Sequence, residues 1–397
     1  MQNVFNTLER RGYVEQLTHP EEIKKLFEKE CVPFYIGIDP TADSLHVGHF
    51  ISLMVASHMQ RAGHKPIILM GGGTAIIGDP SGKTDMRKML TVEDIDNNVA
   101  QIKKQIEKFL SFEGPNAAII VNNGDWLRDL NYINFMREIG VHFSVNRMLA
   151  AECYKNRLET GLTFFELGYM LMQSYDFLYL HDHYGCKLEM GGNDQWSNII
   201  GGVELIRKIG AEDAYGFTFK LLTTKEGKKM GKTEKGALWL NPEKTSPYDF
   251  YQYWRNVADD DIENVMKLLT FIDVDEIEEM TKYKDERINE AKRRAAFEIT
   301  KLVHGEEAAI KAEEATKAMF EGKGNVEAME STKVEAGCTI TEALVNAGIA
   351  PSKGQAKTLI SQGAISLNDE KIDDIAYVLK EEDFKEGYAI LRKGKKI

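Results

Sequence analysis

The chain has 397 residues, 43% of them hydrophobic, four cysteines and a formal net charge of -12; this is more than one compact domain usually holds, and it predicts two or three. The first 25 residues are charged, with neither the apolar core of a secretion signal nor the acid-poor look of a transit peptide, and no apolar run is long enough for a bilayer, so a cytoplasmic protein without a membrane partner is expected. Cys31, Cys153, Cys186 and Cys338 are scattered without paired spacing, which argues against a disulfide framework or a zinc ribbon.

Up to about residue 220 the pattern alternates between strands and helices. Residues 33–38 and 66–70 are short apolar runs of the kind that form buried parallel strands. Helical periodicity covers 45–62 and 92–110, and residues 117–121 and 187–190 read as further strands. The alternation predicts a Rossmann-like α/β domain with a doubly wound parallel sheet, residues 1–220. Residues 163–180 are apolar nearly all round, as in a core helix. His181, His183 and Cys186 follow it; with no fourth ligand nearby they read as a polar turn rather than a metal site.

From 221 to 320 helices dominate, at 247–256, 259–269, 274–282 and 285–304, which predicts a helical domain. Residues 321–336 are polar and contain glycine, as in a linker. Residues 337–397 return to mixed structure, with helices at 341–347 and 353–362 and strands at 364–368 and 388–392, so a small α+β domain is expected. From Lys333 to Ile397 there are ten Lys/Arg and ten Asp/Glu. The excess acid therefore lies before this segment, and any nucleic acid must be bound through local patches rather than a global field.

Three constellations carry chemistry. In the first, a strand containing Tyr35 and Ile36 delivers Asp39 at its carboxyl end, then Thr41, Asp43, Ser44, His46, Gly48 and His49 follow. Asp43 or Ser44 is expected to cap the next helix, with His46 and His49 on one face of its first turn. A helix N-terminus favours an anion, and Gly48 leaves room for a flat group. The turn thus reads as a nucleotide seat, with phosphates near the histidines and the ribose near Asp39. A nearby run, Gly78 to Thr84, is not a Walker loop because Ile77 stands where glycine is required, and Gly71-Gly72-Gly73 is no dinucleotide fingerprint because Ile76 replaces the third glycine. In this run Asp79 can bind an ammonium, and Lys83 and Arg87 can meet phosphate.

The second constellation is a polar stripe, Tyr169, Gln173 and Asp176, on one face of the apolar helix. Buried polar groups need partners, and a small polar ligand would supply them. Asp194 and Gln195, after the strand at 187–190, lie at another carboxyl strand end, where doubly wound folds bind ligands. The third constellation is a lysine- and glycine-rich loop from Lys225 to Thr233.

The first run resembles the His-x-Gly-His signature of class I aminoacyl-tRNA synthetases, in the tyrosyl form. The loop resembles their Lys-Met-Ser-Lys-Ser signature, with Gly231 and Thr233 in place of the serines. Asn193 replaces a serine of the family's Gly-Gly-Ser-Asp-Gln-Trp loop, and Ile36 stands where some members have a ribose-contacting cysteine. The resemblance implies tyrosine activation by ATP to tyrosyl-adenylate, release of pyrophosphate, and transfer to the 3′ end of tRNA(Tyr). It implies that Tyr35 and Asp176 hold the phenolic hydroxyl, with Asn123 assisting Asp176. Asp79, Tyr169 and Gln173 would hold the amino group, and Gln195 the carboxylate region. Asp39, Gly48 and Asp194 would meet the nucleoside. Thr41, His46, His49, Lys83, Arg87, Lys229, Lys232 and Thr233 would act on the phosphates. ATP with magnesium enters as substrate, with no tightly bound cofactor or structural metal, and a homodimer is expected, formed through residues 131–165.

The segment from Gly337 resembles a small RNA-binding domain shared with a ribosomal protein, with Lys353, Lys357, Arg392 and Lys393 as candidate RNA contacts. Another adenylyl-transferring enzyme is disfavoured by the lysine loop and this tail. A non-catalytic RNA-binding descendant is disfavoured by the intact histidines and lysines. The tryptophanyl branch differs in its first motif.

Overall fold

The computed structural model describes residues 3–81, 90–210, 214–233, 236–320, 332–334, 336–368, 370–384 and 387–394. Most of the expected linker lies outside them. The chain divides into two compact units, residues 1–309 and 310–397.

The first unit is built on a six-stranded sheet of β1 (Val14–Leu17), β2 (Pro33–Ile38), β3 (Lys65–Met70), β4 (Ile119–Asn122), β5 (Leu188–Gly192) and β6 (Tyr215–Phe219), in the order β1-β6-β5-β2-β3-β4. The pairs among β2 to β6 are parallel, as the apolar runs predict: Phe34, Tyr35 and Ile36, then Ile67, Ile68, Leu69 and Met70, are all buried. The sheet is not parallel throughout, however. The first strand runs antiparallel on β6, pairing Gln16 with Thr218 and Leu17 with Phe217. An edge strand needs only one neighbour, so Val14–Leu17 can be short and half-exposed where the inner strands cannot. From β2 the chain winds outward through β3 to β4, then returns to place β5 on the other side of β2. The strand order therefore reverses between β2 and β5, the position where such sheets open a crevice.

Two further N-terminal elements, helices Val4–Arg10 and Pro20–Lys29, flank β1. The segment between them is tied to a distant part of the unit. Arg11 donates to the carbonyls of Lys267, Thr270 and Ile272 at 2.9, 2.8 and 2.5 Å, and Tyr13 donates its hydroxyl to Leu268. These carbonyls belong to the end of helix Ile262–Leu269 and the turn after it, so one guanidinium satisfies groups that a helix C-terminus leaves unpaired.

The core helix Phe164–Tyr184 begins with a capping box between Thr163 and Glu166, and Gly185 ends it at φ +64°. Helices Pro247–Arg255, Ile262–Leu269, Val274–Thr281 and Ile288–His304 occupy the stretch where helices were expected, and Glu306–Phe320 follows. Phe250 and Trp254 are fully buried there. Among the described residues no helix is long and apolar enough to cross a membrane.

The second unit has its own core. Helices Ile340–Asn346 and Lys353–Ser361 bury Ile340, Leu344 and Ile360 with Ile365 and Leu367 of a three-stranded antiparallel sheet. Thr339 and Glu342 form the capping box of the first helix.

Candidate active site

The carboxyl ends of β2 and β5, the core helix and the start of helix Val47–Arg61 enclose a cavity of about 410 Å³. It lies at the reversal of strand order. Among the described residues it gathers the tyrosine-pocket candidates Tyr35, Asp79, Asn123, Tyr169, Gln173, Asp176 and Gln195. The nucleotide candidates Asp39, Thr41, His46, Gly48, His49, Asp194 and Lys229 line it as well.

The cap of helix Val47–Arg61 differs from expectation. Asp43 and Ser44 do not cap it; His46 does, accepting from Gly48 N at 3.0 Å through Nδ1, while His49 Nδ1 accepts from His46 N at 3.3 Å. Asp43 pairs with Lys244 instead, and Ser44 bonds Leu45 O and Gln105. The helix therefore starts two residues later than 45, with His46 just outside the first turn. With each Nδ1 accepting a backbone N–H, the proton of each neutral imidazole is on Nε2, and both rings can donate to an anion. Their centroids are 4.1 Å apart. Gly48 is required by this stack itself: a Cβ there would come within 2.7 Å of His46 Cε1 and displace the ring.

At the other end of the cavity Asp176 is 1% exposed. Asn123 Nδ2 donates to its Oδ2 and Trp126 Nε1 to its Oδ1, both at 2.8 Å. Asn123 is itself fixed, accepting from Gly73 N at 2.7 Å and donating to Thr74. Trp126 stacks on Tyr179, and Tyr179 on His183, so this histidine belongs to an aromatic column. Burial raises the Asp176 carboxyl well above its ordinary range, with Asp39 and Glu189 adding to the effect, while its two donors hold it down. Tyr35 is buried beside it, and burial with neighbouring Glu189 raises its phenol.

Between these ends the polar groups are cross-tied. Tyr169 donates to Asp39 Oδ2 at 2.9 Å and Thr74 to Asp39 Oδ1 at 2.8 Å. Gln195 donates to Asp79 at 2.7 Å. Gln173 donates to Glu189 Oε1 at 2.9 Å. Burial raises the Asp194 carboxyl, and Lys229, 3.7 Å away, opposes the shift. Trp126, Thr74 and Glu189 were not singled out in the sequence. The signal for Glu189 was present: a carboxylate between Leu188 and Met190, inside a segment read as a strand.

The lysine loop is anchored to the histidine turn by backbone bonds. Val47 N donates to Leu238 O at 3.0 Å, Leu240 N to Leu45 O at 2.8 Å, and Leu238 N to Gly231 O at 2.8 Å. Gly231 has φ +85°, and a Cβ there would sit 2.9 Å from Val47 Cβ, so the glycine in place of the family's serine is needed by this backbone. The backbones of Lys232 and Thr233 pair with Ala237 and Gly236; the side chains of both lie outside the described residues. So do Lys83 and Arg87 entirely.

In the second unit, Lys353 pairs with Glu342, Lys357 is exposed on helix Lys353–Ser361, and Arg392 and Lys393 lie on strand Leu391–Lys393. Among the described residues no three His, Cys, Asp or Glu side chains gather as a metal site would require.

The cavity thus offers histidine donors at a helix N-terminus at one end and a buried carboxylate beside a phenol at the other, a span suited to a nucleotide and a small polar molecule bound end to end. The family model for tRNA synthetases class I (W and Y) matches residues 28–321, and that for a tyrosine--tRNA ligase SYY-like C-terminal domain matches residues 321–397. The chain is 59% identical to a tyrosine--tRNA ligase of Caldanaerobacter subterraneus over 398 residues, 99% of this chain and 98% of that one. It is also 59% identical to one of Clostridium perfringens over 400 residues, 100% and 98% of the two chains. Among solved structures it resembles a C-terminally truncated mitochondrial tyrosyl-tRNA synthetase of Aspergillus nidulans, with TM-score 0.73 and 27% identity over 81% of this chain and 95% of that one. The fold is shared with a tyrosyl-tRNA synthetase of Archaeoglobus fulgidus in complex with L-tyrosine, TM-score 0.59 at 18% identity, over 78% and 99% of the two chains.

Proposed function

Because the chain belongs to the tyrosyl branch of the class I tRNA synthetases, the tyrosine--tRNA ligases, which activate tyrosine with ATP and transfer it to tRNA, we propose that its cavity seats tyrosine at the Asp176 end and ATP at the histidine end. The observation that carries this reading is Asp176, a carboxylate 1% exposed, held by two donors and placed next to the buried Tyr35. A phenol that donates to the carboxylate and accepts from Tyr35 would complete the pair. Asp79, Tyr169 and the Gln173 oxygen face the amino group, and Gln195 the carboxylate region. Asp39, Gly48 and Asp194 take the nucleoside, while Thr41, His46 and His49 take the phosphates.

Tyrosine's carboxylate needs no general base at neutral pH. It attacks the α-phosphorus in line; a new O–P bond forms and the bond to pyrophosphate breaks. The charge that moves onto pyrophosphate is met by Lys83, Arg87, Lys229, Lys232 and Thr233, so catalysis is positioning plus electrostatic stabilisation. Magnesium would arrive on the phosphates of ATP, as suits a hard cation that keeps most of its waters. A ribose hydroxyl at the 3′ end of the RNA then attacks the adenylate carbonyl, and AMP leaves.

We take residues 1–220, 221–320 and 337–397 as the catalytic, helical and RNA-binding domains, with Lys353, Lys357, Arg392 and Lys393 among the RNA contacts. A homodimer through residues 131–165 is supported by the exposed Tyr132, Ile133, Val141 and Phe164, an apolar set that a monomer would leave in water. A cytoplasmic setting suits four free cysteines.

ATP–pyrophosphate exchange with each of the twenty amino acids and magnesium tests the reading. Tyrosine should support exchange and phenylalanine should not; the same rate with both would remove the phenol from the specificity argument. Discrimination by a hydroxyl-binding site is about ten-thousandfold or more, a magnitude that belongs to the tyrosyl enzymes themselves and is not obtained from this cavity.

Lys232→Ala should slow adenylate formation by about a hundred- to a thousandfold while tyrosine affinity barely changes. Its ammonium would meet charge that develops only in the transition state. Pre-steady-state fluorescence separates the two quantities. Weak tyrosine binding with an unchanged rate would place Lys232 at the wrong substrate.

A further inference from the structure

Glu189 sits in the middle of β5, 1% exposed, in register with Tyr35 of β2 on one side and Gly216 of β6 on the other. It stands at the point where the strand order reverses, and it lines the cavity. Burying a carboxylate is costly unless something compensates it. Here compensation is incomplete. Its Oε1 accepts from Gln173, but its Oε2 is buried without a hydrogen bond, as are Tyr35 Oη and Gln173 Oε1.

Tyr35 faces Glu189 from β2, and Gln173 and Asp176 from the core helix. Cys186 lies in the turn before β5. Helix Trp196–Lys208 brings Gly202 against Glu189, where a Cβ would come within 3.0 Å of Glu189 Oε2. Among the described residues no cation pairs with it. Desolvation accordingly pushes its carboxyl up to about 7, with the bond from Gln173 and the nearby Tyr35 hydroxyl restraining the rise.

The bond to Gln173 has a direction. An ionised carboxylate only accepts, so the Gln173 NH₂ must point to Glu189 and its carbonyl oxygen away from it, where that oxygen is buried without a protein donor. A protonated Glu189 can donate instead, and the amide is then free to turn over and present NH₂ to the ligand. For an ammonium the first arrangement attracts and the second repels.

We propose that Glu189 is a positioning residue for tyrosine: it holds the Gln173 amide with its oxygen toward the substrate ammonium, and its own charge supplies a buried counter-ion for that ammonium. The proposal rests on tyrosine occupying this cavity with its amino group at Gln173. It makes tyrosine affinity depend on pH in one direction. Glu189 is ionised above about pH 7 and protonated below it, so tyrosine binds more tightly as pH rises through neutrality.

The test is Glu189→Gln, with kcat and KM for tyrosine and for ATP measured by pyrophosphate exchange from pH 6 to pH 8.5. In the wild type, KM for tyrosine should fall by about tenfold across the step. In the variant it should stay at the high value and lose the step, with kcat within about threefold and KM for ATP unchanged. The variant should melt no lower than the wild type at pH 8, because a buried amide costs less than a buried charge. Equal KM values and equal pH profiles in the two proteins would overturn the proposal while leaving the cavity assignment intact. A joint fall of kcat, tyrosine affinity and melting temperature would reduce Glu189 to a packing role and also overturn it. A shift in KM for ATP alone would overturn it together with the placement of tyrosine.

Discussion

Asp176→Asn should lower kcat/KM for tyrosine in pyrophosphate exchange by about a thousandfold and leave KM for ATP nearly unchanged. The substitution keeps the shape but reverses one end of the group. Asp176 accepts from Asn123 and Trp126, each at 2.8 Å, and in the proposed complex it also accepts from the phenol. Asparagine has one carbonyl oxygen and one NH₂. Where the NH₂ turns toward Asn123 or Trp126 the clash costs stability with or without substrate; where it turns toward the phenol, that hydroxyl is buried without its acceptor, at about 1–3 kcal/mol. The lost charge-assisted bond to the substrate adds about 1.5–3 kcal/mol. Together these give the thousandfold scale, since about 1.4 kcal/mol is a factor of ten. Steady-state exchange with both substrates varied measures it. A loss of less than tenfold would mean that the phenol does not reach Asp176.

Ending the chain after Gly324 should separate the two reactions. Tyrosine-dependent exchange should persist near the full-length level, and charging of tRNA should fall by about a hundredfold or more. Every residue assigned to tyrosine and ATP lies in the unit spanning residues 1–309, which has its own core. The synthetase family model ends at residue 321, and a C-terminally truncated relative has been crystallised. The whole chain carries a charge of -12, and its last 65 residues are balanced. Truncation therefore leaves most of the excess acid on a protein that must approach a polyanion, and removes Lys353, Lys357, Arg392 and Lys393. Phosphate contacts dominate affinity for nucleic acid and weaken steeply with salt. Charging by the full chain should accordingly fall with added salt faster than exchange does. Equal charging by the two proteins would show that the tail does not bind the RNA.

The parts legible from sequence were those fixed by local chemistry. The inner strands declared themselves because a parallel strand is buried on both faces, and Pro33–Ile38 was read with its observed limits. The core helix was placed correctly but ended four residues early, because its last turn is polar and only Gly185 stops it. Two strands of the six-stranded sheet were missed. Val14–Leu17 is an edge strand with little apolar pattern, and its partner is about 200 residues away. Tyr215–Phe219 alternates aromatic residues with Gly216 and Thr218, a usable signal that was passed over. The candidate site residues were found by motif, yet their connections were not. That His46 rather than Ser44 caps its helix depends on a backbone angle, and that Gln173 leans on Glu189 depends on two elements meeting.

The antiparallel edge of the sheet and the grip of Arg11 and Tyr13 on residues 267–272 impose an order of events during synthesis. Strand Val14–Leu17 leaves the ribosome about 200 residues ahead of its partner Tyr215–Phe219, and the carbonyls that Arg11 grasps are later still. At roughly 5–20 residues per second, the amino-terminal segment waits about ten to fifty seconds before it can lock. In that interval β6 has yet to appear, and β5 has only β2 beside it once it emerges. Closure of the sheet edge is then a late step that requires nearly the whole first unit, and a nascent chain halted before residue 267 would carry the cavity's framework without the strap that closes it.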